Sequence, residues 1–243
     1  METKKKLICN NISRNDLYDY ENRYIYQYED GFKFSLDSIL LAEFVDNLKD
    51  NKKVLDICSG NCAVPLILST KSKCLIDAVE IQESIYELAN MSIKLNKLEN
   101  QIHVYNEDIN NFNTSLVYDI ITCNPPFFKI NENSLINNNE LLRVARHEIH
   151  INLEDIFKMS YKYLKDGGYL YIVHRASRLD ELIEYGLKYK IPVKKVQLIK
   201  TGKDKLPSIV LIKAKKNAKS GLVINDIVNI DNIGTYKNIF KEK

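Results

Sequence analysis

Five short, uninterrupted apolar runs constrain the fold of this chain more than any other feature of its sequence. Each run is bounded by polar residues and is too short for a buried helix, which is typical of strands covered on both faces. The runs comprise residues 54–58, 75–79, 102–105, 119–123 and 169–173. They predict five parallel strands, because parallel sheets bury both of their faces.

Apolar residues between these runs recur at helical spacing. Ile85, Leu88 and Ile93 fall on one face of a predicted helix, and similar patterns cover residues 153–164 and 178–189. Strands that alternate with helices form a doubly wound sheet with right-handed crossovers, whose ligands lie at the carboxyl ends of the strands. The chemistry of this chain is therefore expected at that edge.

Two more strand-like runs, residues 193–199 and 208–214, follow the last helix with no room between them for another. They predict an antiparallel hairpin at the end of the sheet. The predicted fold class is thus α/β, with a Rossmann-like sheet of seven strands that is mostly parallel. We expect one domain over residues 31–219, an N-terminal arm over residues 1–30 and a C-terminal tail over residues 220–243.

Composition limits the class of protein. The chain has 45% hydrophobic and 28% charged residues, and none of its apolar runs is long enough to span a bilayer. Its basic start lacks the apolar core of a signal peptide, so we predict a cytoplasmic protein without membrane contact. The five cysteines are scattered without the paired spacing of a metal site, and they are expected to be buried reduced thiols. We expect no metal, and a monomer is favoured.

Positive charge is concentrated in one segment. Residues 188–219 contain eleven lysines against the single acid Asp204, a net charge of +10, so the rest of the chain carries −7 of the total of +3. Such a surface predicts a polyanionic partner whose phosphates contact lysines. A solvated lysine-rich face is the alternative interpretation. The lysines expected to contact RNA are Lys194, Lys195, Lys213 and Lys215.

The first predicted strand ends in a tight turn of small residues. Cys58, Gly60 and Cys62 occupy alternate positions of this turn, directly before an apolar helical pattern. Small residues let a ligand approach the backbone, and the free N–H groups at the start of a helix attract polar or anionic groups. The turn is therefore a candidate nucleoside-binding position, although a cysteine accepts positive φ less easily than a glycine.

Acids stand at the ends of the next two strands. Glu80 ends the second strand about 20 residues after the turn, where a carboxylate can accept both ribose hydroxyls of a nucleoside. Asp108 follows the third strand and can accept a hydrogen bond from an adenine amine. Each acid alone is equally well explained as a helix cap or a surface charge. Their occurrence in this order at successive strand ends favours a nucleoside site.

Asn124, Pro125, Pro126 and Phe127 directly follow the fourth apolar run. The prolines force extended geometry and stiffen the turn, so the Asn124 side chain leaves the strand in a fixed direction. Its oxygen and the Pro125 carbonyl can accept both hydrogens of one planar amine, and Phe127 offers a ring for stacking. The motif predicts an enzyme that modifies an amine nitrogen. The asparagine-rich residues 131–139 beyond it are expected to form a mobile loop.

Together these residues resemble those of class I methyltransferases that use S-adenosylmethionine. The turn is similar to the motif D-x-G/C-x-G-x-G of that class, and Asn-Pro-Pro-Phe is similar to the motif of its amino-methyltransferases. Residues 30–42, 79–82, 122–129 and 145–148 look like the bacterial tRNA (adenine-N6)-methyltransferase family that acts beside the anticodon of a valine tRNA. The similarity extends over residues 16–214.

This resemblance implies methylation of the N6 amine of a tRNA adenine, with S-adenosylmethionine as donor and no metal. It makes Asn124 and Pro125 the catalytic pair, completed by Pro126 and Phe127, and it places Asp37 near the methionine end of the cofactor. The remaining cofactor residues implied by the resemblance are Asp56, Cys58, Gly60, Glu80 and Asp108, and the implied RNA-binding residues are Arg146 and His147.

Two alternatives remain open from the sequence. The same amine-binding turn permits methylation of ribosomal RNA or of a protein glutamine, although the positive segment favours RNA. The alternative of another class is a noncatalytic RNA-binding module that keeps a degenerate cofactor fold, with Cys62 in place of glycine as its main support. Saturable binding of S-adenosylmethionine would separate an enzyme from such a module.

Overall fold

The computed structural model describes residues 11–17, 20, 22–29, 33–126, 151–231 and 233–240. The strands of this part of the chain are β1 (Ile12–Asp16), β2 (Tyr24–Tyr28), β3 (Lys53–Ile57), β4 (Leu75–Glu80), β5 (Ile102–Asn106), β6 (Tyr118–Cys123), β7 (Leu164–Arg175), β8 (Val193–Lys200), β9 (Ile209–Lys215), β10 (Val223–Ile224) and β11 (Val228–Asn229). The helices are α1 (Leu36–Phe44), α2 (Ala63–Lys71), α3 (Glu83–Leu95), α4 (Leu153–Tyr163) and α5 (Leu179–Lys188), and a 3-10 turn at Ala176–Arg178 precedes α5.

The central sheet has the predicted architecture. Its main strands follow the order β8-β9-β7-β6-β3-β4-β5. The pairs from β7 through β5 are parallel, and β9 lies antiparallel between β7 and β8. Helices α2 and α3 form the crossovers from β3 to β4 and from β4 to β5, whereas residues 107–117 join β5 to β6 without a helix. The predicted fold class is confirmed, including the antiparallel hairpin.

Two apolar layers enclose the sheet. Val54 and Leu55 of β3 belong to different layers, because successive strand residues point to opposite faces. Residues of α1, α2 and α3 contribute to one layer, and residues of α4 contribute to the other. The positions predicted to lie on the buried face of α3, Ile85, Leu88 and Ile93, are at most 3% exposed. The central strands are therefore apolar on both faces, whereas His103 and Tyr105 of the edge strand β5 are exposed.

The predicted N-terminal arm contains a small antiparallel sheet, β1 and β2, that packs on α3. The Asn96 side chain accepts a hydrogen bond from the Tyr24 backbone N–H at 3.0 Å and donates to the Tyr24 carbonyl at 2.6 Å. The Ser92 hydroxyl accepts from the Tyr26 backbone N–H at 2.9 Å. Two side chains of α3 thus act as partners for the backbone of β2.

The predicted C-terminal tail also joins the sheet. β10 and β11 pair in parallel with β8. Further along the chain, the Phe240 ring packs edge-on against Phe44 of α1, with 5.5 Å between the ring centroids. The boundary predicted at residue 219 therefore falls between strands of one sheet, and we propose that residues 223–240 are part of the same domain.

The described cysteines, Cys58, Cys62, Cys74 and Cys123, are free thiols, and all except Cys58 are buried. This confirms the prediction of buried thiols for Cys62, Cys74 and Cys123, whereas Cys58 is only half-buried and Cys9 lies outside the described residues. None of the helices described here combines the length and the apolar character that crossing a membrane requires.

Candidate active site

Asn124 follows the carboxyl end of β6 and contacts α1. Its side-chain Nδ2 donates a hydrogen bond to Ser38 Oγ at 2.9 Å. Because the two ends of a carboxamide point in different directions, this bond turns the acceptor Oδ1 away from Ser38. Asn124 is half-buried and Pro125 is buried, so the turn has little freedom. Ser38 lies in the stretch that carried the family resemblance, but no residue spacing indicates its contact with Asn124.

The turn after β3 has a left-handed backbone at each of its three small residues. The φ angle is 58° at Cys58, 56° at Gly60 and 67° at Cys62. A residue other than glycine costs about 1 kcal/mol or more in this region. Complete burial of the Cys62 side chain offsets part of that cost. Cysteine thus adopts the conformation that the glycine motif requires, and the main support for a degenerate fold is weakened.

Glu80 attaches the end of β4 to this turn. Its Oε2 accepts a hydrogen bond from the Gly60 backbone N–H at 2.9 Å. Its Oε1 accepts from the Gln82 backbone N–H at 2.9 Å and from Gln82 Nε2 at 3.3 Å. Oε1 thus uses both of its lone pairs, whereas Oε2 keeps one for a ligand. The 5% exposed Glu80 is therefore held in one position as an acceptor.

A pocket at the carboxyl edge of the sheet brings the predicted residues together. Glu80 and Asp108 line it with Cys58 of the turn and Pro126 of the Asn-Pro-Pro segment. Asp108 Oδ1 accepts hydrogen bonds from Asn110, 2.9 Å from the backbone nitrogen and 3.0 Å from Nδ2. The apolar wall of the pocket comprises Val79, Ile81, Ile109 and Ile151. Carboxylates between apolar surfaces suit a nucleoside, whose hydroxyls and amine donate hydrogen bonds while its base packs flat.

Asp56 lies on β3 below the turn and is 1% exposed. Its Oδ1 accepts a hydrogen bond from Thr122 Oγ1 of β6 at 2.5 Å. Burial raises the pKa of Asp56 to about 7; the Thr122 hydrogen bond opposes this shift and the charge of Glu80 adds to it. Asp56 is thus placed to support the strand ends that carry Cys58 and Asn124, in agreement with the role that the resemblance implies.

Replacing Asp56 with asparagine is expected to change how stability depends on pH. In the unfolded chain an aspartate ionises near about pH 4, whereas Asp56 keeps its proton in the folded protein up to about pH 7. Unfolding therefore releases a proton between these values, and wild-type stability falls relative to Asp56→Asn as the pH rises through this window. Above about pH 7 the loss in the free energy of unfolding of the wild type relative to Asp56→Asn should stay constant at a few kcal/mol.

Urea unfolding of the wild type and Asp56→Asn at intervals between about pH 4 and pH 8 measures this difference. The asparagine keeps an oxygen that can accept the Thr122 hydrogen bond, so the comparison isolates the ionisation. Two stability curves that remain parallel across this pH range would contradict a buried, protonated Asp56.

A second pocket, which also includes Pro126, lies beside the Asn-Pro-Pro turn and is closed by His174 and Arg178. His174 is 1% exposed, and its Nδ1 accepts the Arg175 backbone N–H at 2.8 Å. Its Nε2 lies 3.5 Å from Arg178 Nη1. Arg178 also donates to both carboxylate oxygens of Glu181, at 2.9 and 2.7 Å. This pocket therefore carries a cationic group where the first pocket carries acids. No sequence pattern indicated a role for His174 or Arg178.

Asp37 lies in the first turn of α1, next to the serine that contacts Asn124. Burial raises the pKa of Asp37, and the charge of Arg175 and a hydrogen bond with Ser35 oppose that shift. Asp37 thus neighbours a residue that contacts Asn124, and its position near the reacting end of the cofactor stays a prediction.

The four lysines predicted to contact RNA lie below the level of Asn124, Lys213 and Lys195 by two strand residues and Lys215 by four. They occupy the amino-terminal part of β8 and the facing part of β9, whereas Asn124 follows the carboxyl end of β6. Cys123 pairs with Ile172, so Asn124 is level with the next residue of β7, while Lys215 pairs with Tyr169. Four residues of strand span about 13 Å. Sequence composition located the lysines in the chain but did not predict the edge of the sheet on which they lie.

Three of these lysines also have partners within the protein. Lys213 is 9% exposed, forms an ion pair with Asp46 and lies 4.4 Å from the centre of the Tyr169 ring. Lys215 lies 5.2 Å from the centre of the same ring. Lys194 Nζ donates to a backbone carbonyl at 2.9 Å. We therefore assign Lys213 a structural role, because a buried, paired ammonium does not present its charge to RNA.

Other predicted features lie outside the described residues. These are Phe127 of the Asn-Pro-Pro-Phe motif, the RNA-binding candidates Arg146 and His147, and the asparagine-rich stretch at residues 131–139.

The fold and the site together define a class I methyltransferase. The sheet is doubly wound and contains β9 as an inserted antiparallel strand. It carries a left-handed turn after β3, Glu80 at the end of β4, Asp108 after β5 and Asn-Pro-Pro after β6. Residues 34–152 match the methyltransferase small domain family. The tRNA1(Val) (adenine(37)-N6)-methyltransferase of Trichodesmium erythraeum is 32% identical over 194 residues, 72% of this chain and 79% of that protein. The chain belongs to the tRNA1(Val) (adenine(37)-N6)-methyltransferase family.

Other comparisons agree with this assignment. The protein of the same name from Aliivibrio salmonicida is 26% identical over 183 residues, which cover 75% of this chain and 76% of that protein. The M. jannaschii tRNA m1G37 methyltransferase has a TM-score of 0.61 at 17% identity, covering 86% of this chain and 57% of that one. M. jannaschii TYW2, solved in complex with AdoMet, has a TM-score of 0.56 at 16% identity, covering 84% and 85%. The two structures confirm the fold.

Proposed function

We propose that this protein transfers a methyl group from S-adenosylmethionine to the N6 amine of an adenine in tRNA, at position 37 of tRNA1(Val) as its relatives are named. The observation that carries this proposal is the orientation of Asn124. Its Nδ2 is bound to Ser38 Oγ at 2.9 Å, so its Oδ1 is directed elsewhere as an acceptor at the carboxyl edge. An acceptor held in this way suits a substrate amine.

The residues of the first pocket fit S-adenosylmethionine. Glu80 Oε2 offers a free acceptor site for a ribose hydroxyl, and Asp108 offers an acceptor for the adenine amine. The left-handed turn at Cys58 and Gly60 brings its backbone to the pocket, as a nucleoside site requires. When bound, this cofactor supplies a methyl carbon that its sulfonium makes electrophilic. Asp37 is the candidate for the methionine end.

Asn124 and Pro125 activate the substrate amine in this proposal. The N6 amine of adenine is a weak nucleophile because its lone pair is delocalised into the ring. Asn124 Oδ1 and the Pro125 carbonyl accept its two hydrogens and favour a pyramidal nitrogen with a localised lone pair. These bonds strengthen as the nitrogen becomes positive, so they stabilise the transition state more than the ground state. A base in an anticodon loop is already unpaired, which lowers the cost of placing it there.

Transfer of radiolabel from S-adenosylmethionine to unmodified total tRNA tests this function. Digestion to nucleosides should yield labelled N6-methyladenosine, and a tRNA1(Val) transcript with guanine at position 37 should take up no label. Ribosomal RNA and a glutamine peptide serve as rival substrates. Label in either of these but not in tRNA would contradict the assignment. Absence of saturable cofactor binding, together with no transfer to any substrate, would indicate a noncatalytic module.

A further inference from the structure

We propose that substrate RNA binds through its phosphates to the segment that joins β8 to β9, here called the carboxyl-edge loop and defined as residues 200–208. Its cations are Lys200, Lys203 and Lys205. The inference rests on the proposed function, since it takes tRNA as the substrate. It replaces the lysines of the strand interiors, which composition alone had favoured, with lysines on the edge that carries Asn124.

Strand register places this loop at the correct edge. Ile199 of β8 pairs with Ile209 of β9, and Ile209 pairs with Arg175 at the carboxyl end of β7. The loop therefore begins beyond the level of Asn124 rather than below it. Three strand spacings separate β8 from β6, about 14 Å across the sheet. Phosphates on either side of a base held at Asn124 can extend over that distance.

The loop presents its charge outward. Lys203 and Lys205 are exposed, and Lys200 is half-buried. Lys200 Nζ donates to the Lys203 carbonyl at 2.8 Å, which fixes the start of the loop. Asp204 is the single acid between these lysines, so the segment keeps a net positive charge. Phosphate contacts by lysines depend on such exposed charge and not on a particular base sequence.

Two arginines connect the loop with the second pocket. The backbone N–H of Ala176 donates to the Ser208 carbonyl at 3.0 Å, so the end of the loop is attached to the segment after β7. That segment contains the exposed Arg175 and also Arg178, which lines the second pocket beside Pro126. Positive charge thus continues from the loop to the exposed Arg175, while the charge of Arg178 is paired with Glu181. In this proposal an RNA strand follows that direction to bring a base to Asn124.

Two triple variants with the same change in charge separate this proposal from general attraction. The first replaces Lys200, Lys203 and Lys205 with alanine. The matched control replaces Lys194, Lys195 and Lys215, which lie below the level of Asn124 and outside the loop, with alanine. Binding of a fluorescent tRNA is measured by anisotropy at several salt concentrations, with the full chain and without any cofactor. Calorimetry with S-adenosylmethionine and a thermal melt show whether each variant keeps its fold.

The loop variant should bind tRNA about 10-fold more weakly at low salt, and its slope of log K against log salt should fall by about 2. The control variant should keep the wild-type slope. Equal losses in the two variants, or a larger loss in the control, would overturn the proposal. If the loop variant melts early, the single exposed Lys203→Glu variant serves instead and should weaken binding at an unchanged melting temperature. Because anisotropy does not require methyl transfer, failure of the proposed function appears separately, as wild-type protein that binds tRNA and leaves it unlabelled.

Discussion

Replacing Asn124 with alanine should lower kcat for tRNA methylation by roughly 1000-fold. The variant loses the side-chain acceptor for the substrate amine, and the lone pair of that amine then stays delocalised during the attack. Asn124 is not among the residues that line the cofactor pocket, so the affinity for S-adenosylmethionine should hardly change. Single-turnover rates with saturating tRNA, together with calorimetry of the cofactor, measure both quantities.

Ser38→Ala is the matched test of how Asn124 acts. It leaves the acceptor in place and removes the hydrogen bond of 2.9 Å that orients it. We expect a loss of roughly 10-fold in kcat, with the KM for tRNA little changed, because the amide can rotate away from the amine. Ser38→Thr keeps a hydroxyl and should restore part of the rate. An Asn124→Ala enzyme with normal turnover would refute the catalytic assignment, and a Ser38→Ala enzyme at full rate would refute the positioning role.

The fold could be predicted because local patterns and global burial agree. The run at residues 119–123 is apolar because both faces of β6 are covered, and the Ile85 and Leu88 spacing follows from one buried face of α3. The acids Glu80 and Asp108 could be assigned for a similar reason. Parallel strands end at one edge, so residues that follow successive strands meet even when they are far apart in the chain.

The order of residues in the sequence does not show whether a charged residue lies at the end of its strand that is near Asn124 or at the opposite end. Lys195 and Lys200 belong to the same strand, but only Lys200 lies at the edge that carries Asn124. That difference depends on β8 lying parallel to β7, with β9 between them. Lys213 forms an ion pair that the sequence does not reveal, since its partner Asp46 lies 167 residues away in the chain. Charge counts along a sequence cannot register such pairs.

The residues that sequence reasoning missed act through contacts between distant segments. Ser38 meets Asn124 across 86 residues, and His174 and Arg178 reach the Asn-Pro-Pro turn from the end of β7 and the turn before α5. At Cys62 the departure from the expected glycine was visible in the sequence, but its effect on the backbone conformation was not. The backbone at Cys62 takes the left-handed conformation, so the identity of the residue changed while the geometry of the turn did not.

Glu80→Ala should weaken binding of S-adenosylmethionine by roughly 100-fold or more, because hydrogen bonds to a charged group contribute about 1.5 to 3 kcal/mol each. The carboxylate accepts from the Gly60 and Gln82 backbones at 2.9 Å, so its removal also frees the turn that shapes the pocket. Glu80→Gln should be no milder, since an amide NH2 in place of one oxygen would face a backbone N–H donor.

Glu107→Ala is the matched control for Glu80→Ala, because Glu107 lines the same pocket, carries the same charge and is exposed. Calorimetry should show little change in ligand affinity for Glu107→Ala. Glu80→Ala should lose affinity equally for S-adenosylmethionine and S-adenosylhomocysteine, because both ligands share the nucleoside that Glu80 is proposed to contact. A loss confined to the methylated ligand would place Glu80 at the wrong end of the cofactor.

A second readout is independent of the ligand: the charge of Glu80 raises the pKa of Asp56, so that pKa should fall in Glu80→Ala. The pH window in which stability declines should still begin near the ordinary ionisation of an aspartate, which the unfolded chain sets, but it should end at a lower pH.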